Sequence, residues 1–209
     1  MQNSTSKVRV LTGTAMLGAV AAVLMYLEFP IPIMPAFVKL DVSELPALIA
    51  SFAYGPVSGI LVFLIKNLIK LPSTSTAAVG ELFNFVMGAL FVGVAGLIYK
   101  RNKTRKGAIV GALLGALVMA VVSVPYNYFI VYPAYVVMYH LPLDAIIGMY
   151  QAINPNVNGL LACLLVFNLP FTFVKGALDA VLCFLVYKPL SPILHGRKSV
   201  HGPQNVLLL

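Results

Sequence analysis

The amino-acid sequence predicts an all-α membrane protein with six transmembrane helices, and three observations carry that prediction. Of its 209 residues, 60% are hydrophobic and 10% charged, whereas soluble domains run near 25% charged. The mean hydropathy is +0.95, and the length suits about six spans of ~20 residues joined by short loops, with nothing left for a soluble domain. The basic residues also fall between the apolar runs and not along a water-soluble face, so the net charge of +8 points away from nucleic acid. Positive charge beside membrane helices fixes orientation and meets anionic lipid.

The first helix is expected over Val8 to Phe29. Its apolar run, Val10 to Phe29, follows Lys7 and Arg9, is too long for a signal-peptide core, and stops at Pro30-Ile31-Pro32, which cannot continue a helix. Pro30 to Val42 then reads as a loop. Ser43 is positioned as an N-cap with Pro46 in the first turn, opening a short helix to Tyr54. Gly55-Pro56 breaks it, and a third helix from Val57 to Leu71 completes a tight hairpin. A loop over Pro72 to Thr76 leads to a fourth helix, Ala77 to Tyr99. The basic stretch Lys100 to Lys106 and a fifth helix, Gly107 to Ile130, follow. Val131 to Asn158, rich in Tyr and Pro, reads as irregular. The last helix covers Gly159 to Tyr187, kinked near Pro170. Residues 1–198 thus form one six-helix domain, and 199–209 are an unassigned tail.

Six helices place both termini on one side. Lys7, Arg9, the five basic residues of Lys100 to Lys106, Lys188, Arg197 and Lys198 then face the cytoplasm, ten of the fourteen present, as the positive-inside rule requires. Glu28, Asp41, Glu44, Glu81 and Asp144 fall at the outer face. Five spans would scatter this separation.

No Gly-x-x-x-x-Gly-Lys phosphate loop occurs. Cys163 and Cys183 lie in apolar runs and read as small buried hydrophobes. His140, His195 and His201 lack metal-ligand spacing. No nucleophile–base motif is present, so neither catalytic residues, metal ligands nor a resident cofactor are expected. Lys175 is the informative residue, because an ammonium inside a span needs a polar cavity or a partner. Asn168, Thr172 and Lys175 share one helical face that Asp179 extends; Lys175 and Asp179 could alternatively form an i,i+4 pair and nothing more. Asn127, beside Pro125, offers an amide for a heterocycle edge or for a broken helix end. Tyr126, Tyr128, Phe129, Tyr132 and Tyr135 could stack on a planar ligand or form an interfacial belt. Small-residue stripes at Ala15/Ala19 and Gly18/Ala22 permit close approach of another helix, within this chain or in a partner.

Phe29-Pro30-Ile31-Pro32, Lys39-Leu40-Asp41-Val42-Ser43-Glu44-Leu45-Pro46 and Phe52-Ala53-Tyr54-Gly55-Pro56-Val57-Ser58-Gly59 are the specific part of a resemblance. Lys66-Asn67-Leu68, Gly80-Glu81-Leu82-Phe83-Asn84-Phe85, Asn127-Tyr128-Phe129 and Pro170-Phe171-Thr172-Phe173-Val174-Lys175-Gly176 support it. Together they resemble the substrate-binding S-components of energy-coupling factor (ECF) vitamin transporters, in particular riboflavin-specific members. The resemblance implies an outward-facing pocket capped by the first loop, with riboflavin as the transported ligand and no ATPase activity in this chain. It implies a membrane coupling subunit (the T-component) docked on the first-helix stripe, two cytoplasmic ATPase subunits, and a bacterial plasma membrane. Asn127 and Lys175 match positions that contact the flavin edge; Leu40 and Asp41 are loop contacts, and Asn84 belongs to the same set. Thr172 departs from the family's Asn, a loss Asn168 could supply. S-components for thiamin, pantothenate or biotin share this fold. A gradient-driven secondary transporter is a different class, for which Lys175 with Asp179 is the candidate relay; inverted repeats are not evident.

Overall fold

The structure, a computed structural model, describes residues 2–35, 38–74, 76–140 and 142–195. The expected tail at 199–209, with Arg197, Lys198 and His201, lies outside the described residues. Helix α1 spans Gln2–Tyr26. The loop that follows is not wholly irregular, because β1 (Phe29–Pro30) and β2 (Lys39–Leu40) pair antiparallel and pull it into a flap. Helix α2 covers Glu44–Tyr54 and α3 covers Pro56–Lys70. Gly55 between them has φ 106°, a conformation only glycine takes without strain, and so closes the predicted hairpin. Helices α4 (Val79–Arg101) and α5 (Arg105–Tyr126) follow, joined by a basic turn in which the Thr104 hydroxyl accepts the Gly107 N–H at 3.0 Å.

Five stretches are long and apolar enough to cross a bilayer: residues 7–26, 56–73, 79–101, 105–138 and 159–186. The sixth expected span is α2, whose 11 residues reach only about 16 Å, against about 30 Å of hydrocarbon. It is a buried helix packed among α1, α3, α4 and α9. Enclosure by protein explains how so short an element survives: its face from Pro46 to Phe52 never meets lipid. The Ser51 hydroxyl donates to the Val92 carbonyl at 2.7 Å and ties α2 to α4.

Val131 to Asn158, expected to be irregular, is largely helical. The fifth helix passes through a wide, π-type turn at Asn127–Val131 into α6 (Tyr132–Tyr139), and α7 (Leu143–Gln151) follows. Helix α8 (Gly159–Cys163) runs through a second wide turn, Leu164–Asn168, into α9 (Leu169–His195). Each wide turn lies just upstream of a proline, Pro133 or Pro170. A proline ring crowds the carbonyl four residues back, here Phe129 and Val166, and both lie inside the widened segments. The expected kink near Pro170 takes this form. Tyr132, Ile146, Tyr150, Leu160, Cys163 and Leu164 build a second small core around these turns, separate from the main core of α2 to α5 and α9. Apolar burial, not local propensity, makes the Tyr- and Pro-rich segment helical.

Candidate ligand-binding site

The flap, α3, α4, the α5–α6 wide turn and α9 enclose a cavity of about 200 Å³. Of the seven ligand residues expected from sequence, Asp41, Asn84, Asn127, Asn168, Thr172 and Lys175 line it; Leu40 sits on β2 beside Asp41, half-buried and outside the lining. Both wide turns deliver an amide to this space, Asn127 from the first and Asn168 from the second, and such turns recur at functional sites. Met25, Phe83, Met87, Met119, Val131 and Phe171 supply apolar wall.

Lys175 lies buried in α9, and its Nζ is 2.9 Å from Glu44 Oε1 and 3.1 Å from Asp41 Oδ2. The alternative i,i+4 pairing with Asp179 is not what holds it. Side chains on a helix tilt toward its N-terminus, which takes Lys175 up toward the flap and α2 and away from Asp179. Asp179 is fully buried, and neither carboxylate oxygen has a hydrogen-bond partner among the described residues. Asp41 is held from two sides, its Oδ1 accepting the Ser43 N–H at 2.8 Å while Oδ2 faces Lys175. Burial alone would push the Asp41 carboxyl up. The charges of Lys175 and Lys66 and the Ser43 hydrogen bonds outweigh that and hold it well below the usual carboxylate range.

Ser43 does not act as the expected N-cap. Its backbone is already helical and its side chain makes no cap bond; the hydroxyl accepts instead from Lys66 Nζ at 2.6 Å. Lys66, fully buried in α3, was not among the expected site residues. Its signal was the one that exposed Lys175: a lysine inside an apolar run, Phe63-Leu64-Ile65-Lys66. Lys70 was missed likewise. Its Nζ lies 3.3 Å from Glu28, which also binds Lys39 at 2.8 Å, so β2 is fastened to α3 through a shared carboxylate. Glu28, Glu44 and Glu81, expected only as outer-face charges, line the cavity. Glu81 accepts from Thr74 at 2.7 Å and Thr76 at 2.9 Å.

The Asn127 Nδ2 donates to the Ser123 carbonyl at 2.8 Å, which meets the helix-end reading without removing the residue from the cavity wall. Asn84 Oδ1 accepts from Asn67 at 3.2 Å. Of the five aromatics near Asn127, Tyr132 and Tyr135 line the cavity, Tyr126 packs on Phe83, and Tyr128 and Phe129 are exposed. The first-helix stripes separate. Gly18 and Ala22 face inward, and a Cβ on Gly18 would stand 2.8 Å from Ile65 of α3, so neither forms a free docking face. Ala15 and Ala19 are exposed.

Five apolar span-length stretches, with a cavity of mixed polar and apolar lining beneath a flap fastened by ion pairs, mark a multi-pass membrane protein. A family described as "ECF transporter, substrate-specific component" matches residues 9–187, and the chain belongs to this family. It is 34% identical to "Riboflavin transporter RibU" of Staphylococcus aureus, over 86% of this chain and 89% of that protein. It is also 34% identical to "Riboflavin transporter FmnP" of Bacillus subtilis, over 93% and 98%. A solved structure described as "Structure and mechanism of the S component of a bacterial ECF transporter" superposes with a TM-score of 0.70 at 32% identity, covering 93% of this chain and 99% of that one. These relatives are named as transporters, not enzymes.

Proposed function

We propose that this chain is the riboflavin-binding S-component of an ECF-type transporter, taking up the vitamin together with a membrane coupling subunit and two cytoplasmic ATPases. The observation that carries the reading is the composition of the cavity. Amides and a hydroxyl (Asn84, Asn127, Asn168, Thr172) are set into apolar and aromatic wall, which suits a planar, largely apolar heterocycle with one hydrogen-bonding edge. The lining holds four carboxylates (Glu28, Asp41, Glu44, Glu81), three lysines (Lys39, Lys70, Lys175) and no arginine. Such a balance favours a neutral ligand over a phosphorylated one, which calls for bidentate donors. The names of the relatives point to the same vitamin. Leu40 and Asp41 close the site from the flap.

The exposed Ala15/Ala19 face is the contact for the coupling subunit. Gly13 lies against Tyr54 and the Tyr26 hydroxyl bonds Ser73, so α1 and α3 run the same way and the short α2 returns the chain between them. The basic α4–α5 turn then lies on the cytoplasmic side with both termini, against anionic lipid of a bacterial plasma membrane. Titration of the purified chain by quenching of riboflavin fluorescence, with thiamin, biotin and pantothenate as competitors, tests the ligand. Riboflavin binding undisturbed by the competitors supports the reading; displacement by one of them reassigns the vitamin. Uptake into vesicles by this chain alone, driven by an ion gradient, would place it among secondary transporters.

A further inference from the structure

Asn168 faces the cavity, yet its amide is not free to turn. The Tyr150 hydroxyl donates to Asn168 Oδ1 at 2.7 Å, and Asn168 Nδ2 donates to the Tyr132 hydroxyl oxygen at 3.3 Å. The Tyr132 and Tyr150 hydroxyls are hydrogen-bonded to each other. With Tyr150 spending its proton on Asn168, the Tyr132 hydroxyl must donate to Tyr150, and all three bonds then run in one direction around a closed ring. The lengths agree with this sense, since the short bond is the O–H···O one and the long bond the N–H···O one. Reversing the amide would put its nitrogen at the short contact. All three groups are buried: Tyr150 is 0% exposed, Tyr132 1% and Asn168 6%. A bond lost at the fully buried Tyr150 hydroxyl, which does not reach the cavity, could not be recovered from water.

Tyr132 and Asn168 line the cavity, but Tyr150, on α7, does not. Tyr150 also packs on Phe167, with ring centroids 5.3 Å apart, in the wide turn that carries Asn168. The second amide hydrogen of Asn168 has no acceptor among the described residues. We infer that Tyr150 is a positioning residue for ligand selectivity: it locks the Asn168 amide so that the α9 wall presents an N–H donor to a carbonyl on the flavin's heterocyclic edge. This rests on the riboflavin reading above. It gives the α6–α7 segment a role in recognition although α7 contributes nothing to the cavity surface.

The test is a double-mutant cycle on the full-length protein in detergent, with Kd for riboflavin as readout. Tyr150→Phe keeps the ring packing and removes one hydroxyl; it should raise Kd about tenfold. In an Asn168→Ala background the same change should cost less than twofold, because the group it acts through is gone. Equal losses in both backgrounds would make Tyr150 merely structural and overturn the inference, as would a Tyr150→Phe variant that binds like wild type. A second measurement needs no variant. Wild type should bind 2-thioriboflavin or 4-thioriboflavin several-fold more weakly than riboflavin, since sulfur accepts poorly from an N–H donor; equal binding of both analogues overturns the inference even if Tyr150→Phe does not fold. Wild type that binds no riboflavin removes the functional reading and this inference together, whereas riboflavin binding without the selectivity removes this inference alone.

Discussion

Replacing Lys175 with methionine removes a buried ammonium while keeping most of its volume. In wild type the Nζ sits 2.9 Å from Glu44 and 3.1 Å from Asp41, on side chains 4% and 8% exposed. Without it, two carboxylates, one on the flap and one at the start of α2, face each other beneath the lid. Removing one partner from a buried pair costs about 3–5 kcal/mol. The lower end applies here, because Lys66 stays beside Asp41 and, through Ser43 at 2.6 Å, still anchors the flap. About 3 kcal/mol at one decade per 1.4 kcal/mol is roughly a hundredfold in an equilibrium constant. The repulsion is relieved when Asp41 swings out with the flap, so the loss should fall on the closed, liganded state. Riboflavin Kd should therefore rise about a hundredfold with a faster off-rate, while the melting temperature of the ligand-free protein falls little. Stopped-flow fluorescence and a thermal melt on the same preparation separate the two. A Kd within about threefold of wild type, or a large drop in melting temperature with binding intact, would refute the idea that Lys175 clamps the flap over the ligand.

Other parts of the molecule can be probed in the same way. The Asp41 carboxyl is held below the ordinary carboxylate value of about 4, so it stays ionised throughout the neutral and mildly acidic range and its pairing with Lys175 does not titrate there; Kd should stay flat from about pH 7 to pH 5. FMN should bind at least tenfold more weakly than riboflavin, as competition titration would show, because the lining offers its phosphate no arginine and its three lysines are already paired with carboxylates. Gly88→Ala should cost about 1–3 kcal/mol of stability, read as a lowered melting temperature, since its Cβ would run into the fully buried Phe63 ring. Ala19→Leu, on an exposed position, should leave riboflavin binding intact and abolish uptake with the coupling subunit, whereas Gly18→Leu, backed by Ile65, should lower thermal stability.

The span-length helices were legible because bilayer thickness and proline–glycine punctuation act locally. Gly55-Pro56 announced the hairpin and Lys175 announced the cavity, since in each case one residue violates the pattern around it. The helicity of Tyr132 to Gln151 was hidden. Its prolines and tyrosines read as irregular, and only the second core supplies the burial that makes it helical. The partners of Lys175 were equally out of reach, because an i,i+4 neighbour is visible in a sequence and a carboxylate 134 residues away, on the flap, is not. The separation of Gly18 and Ala22 from Ala15 and Ala19 depended on which side of α1 meets α3, a fact of packing that small residues on two adjacent faces cannot disclose. Lys66 and Lys70 could have been found; each sits in the apolar run of α3, where an ammonium demands an explanation.

The most direct test of the central claim is the visible absorbance spectrum of this chain purified alone, in mild detergent, from cells grown with riboflavin. The expected result is a flavin spectrum at near-equal stoichiometry, with riboflavin itself released on denaturation and no other subunit present. A colourless protein that also fails to quench added riboflavin fluorescence would contradict it.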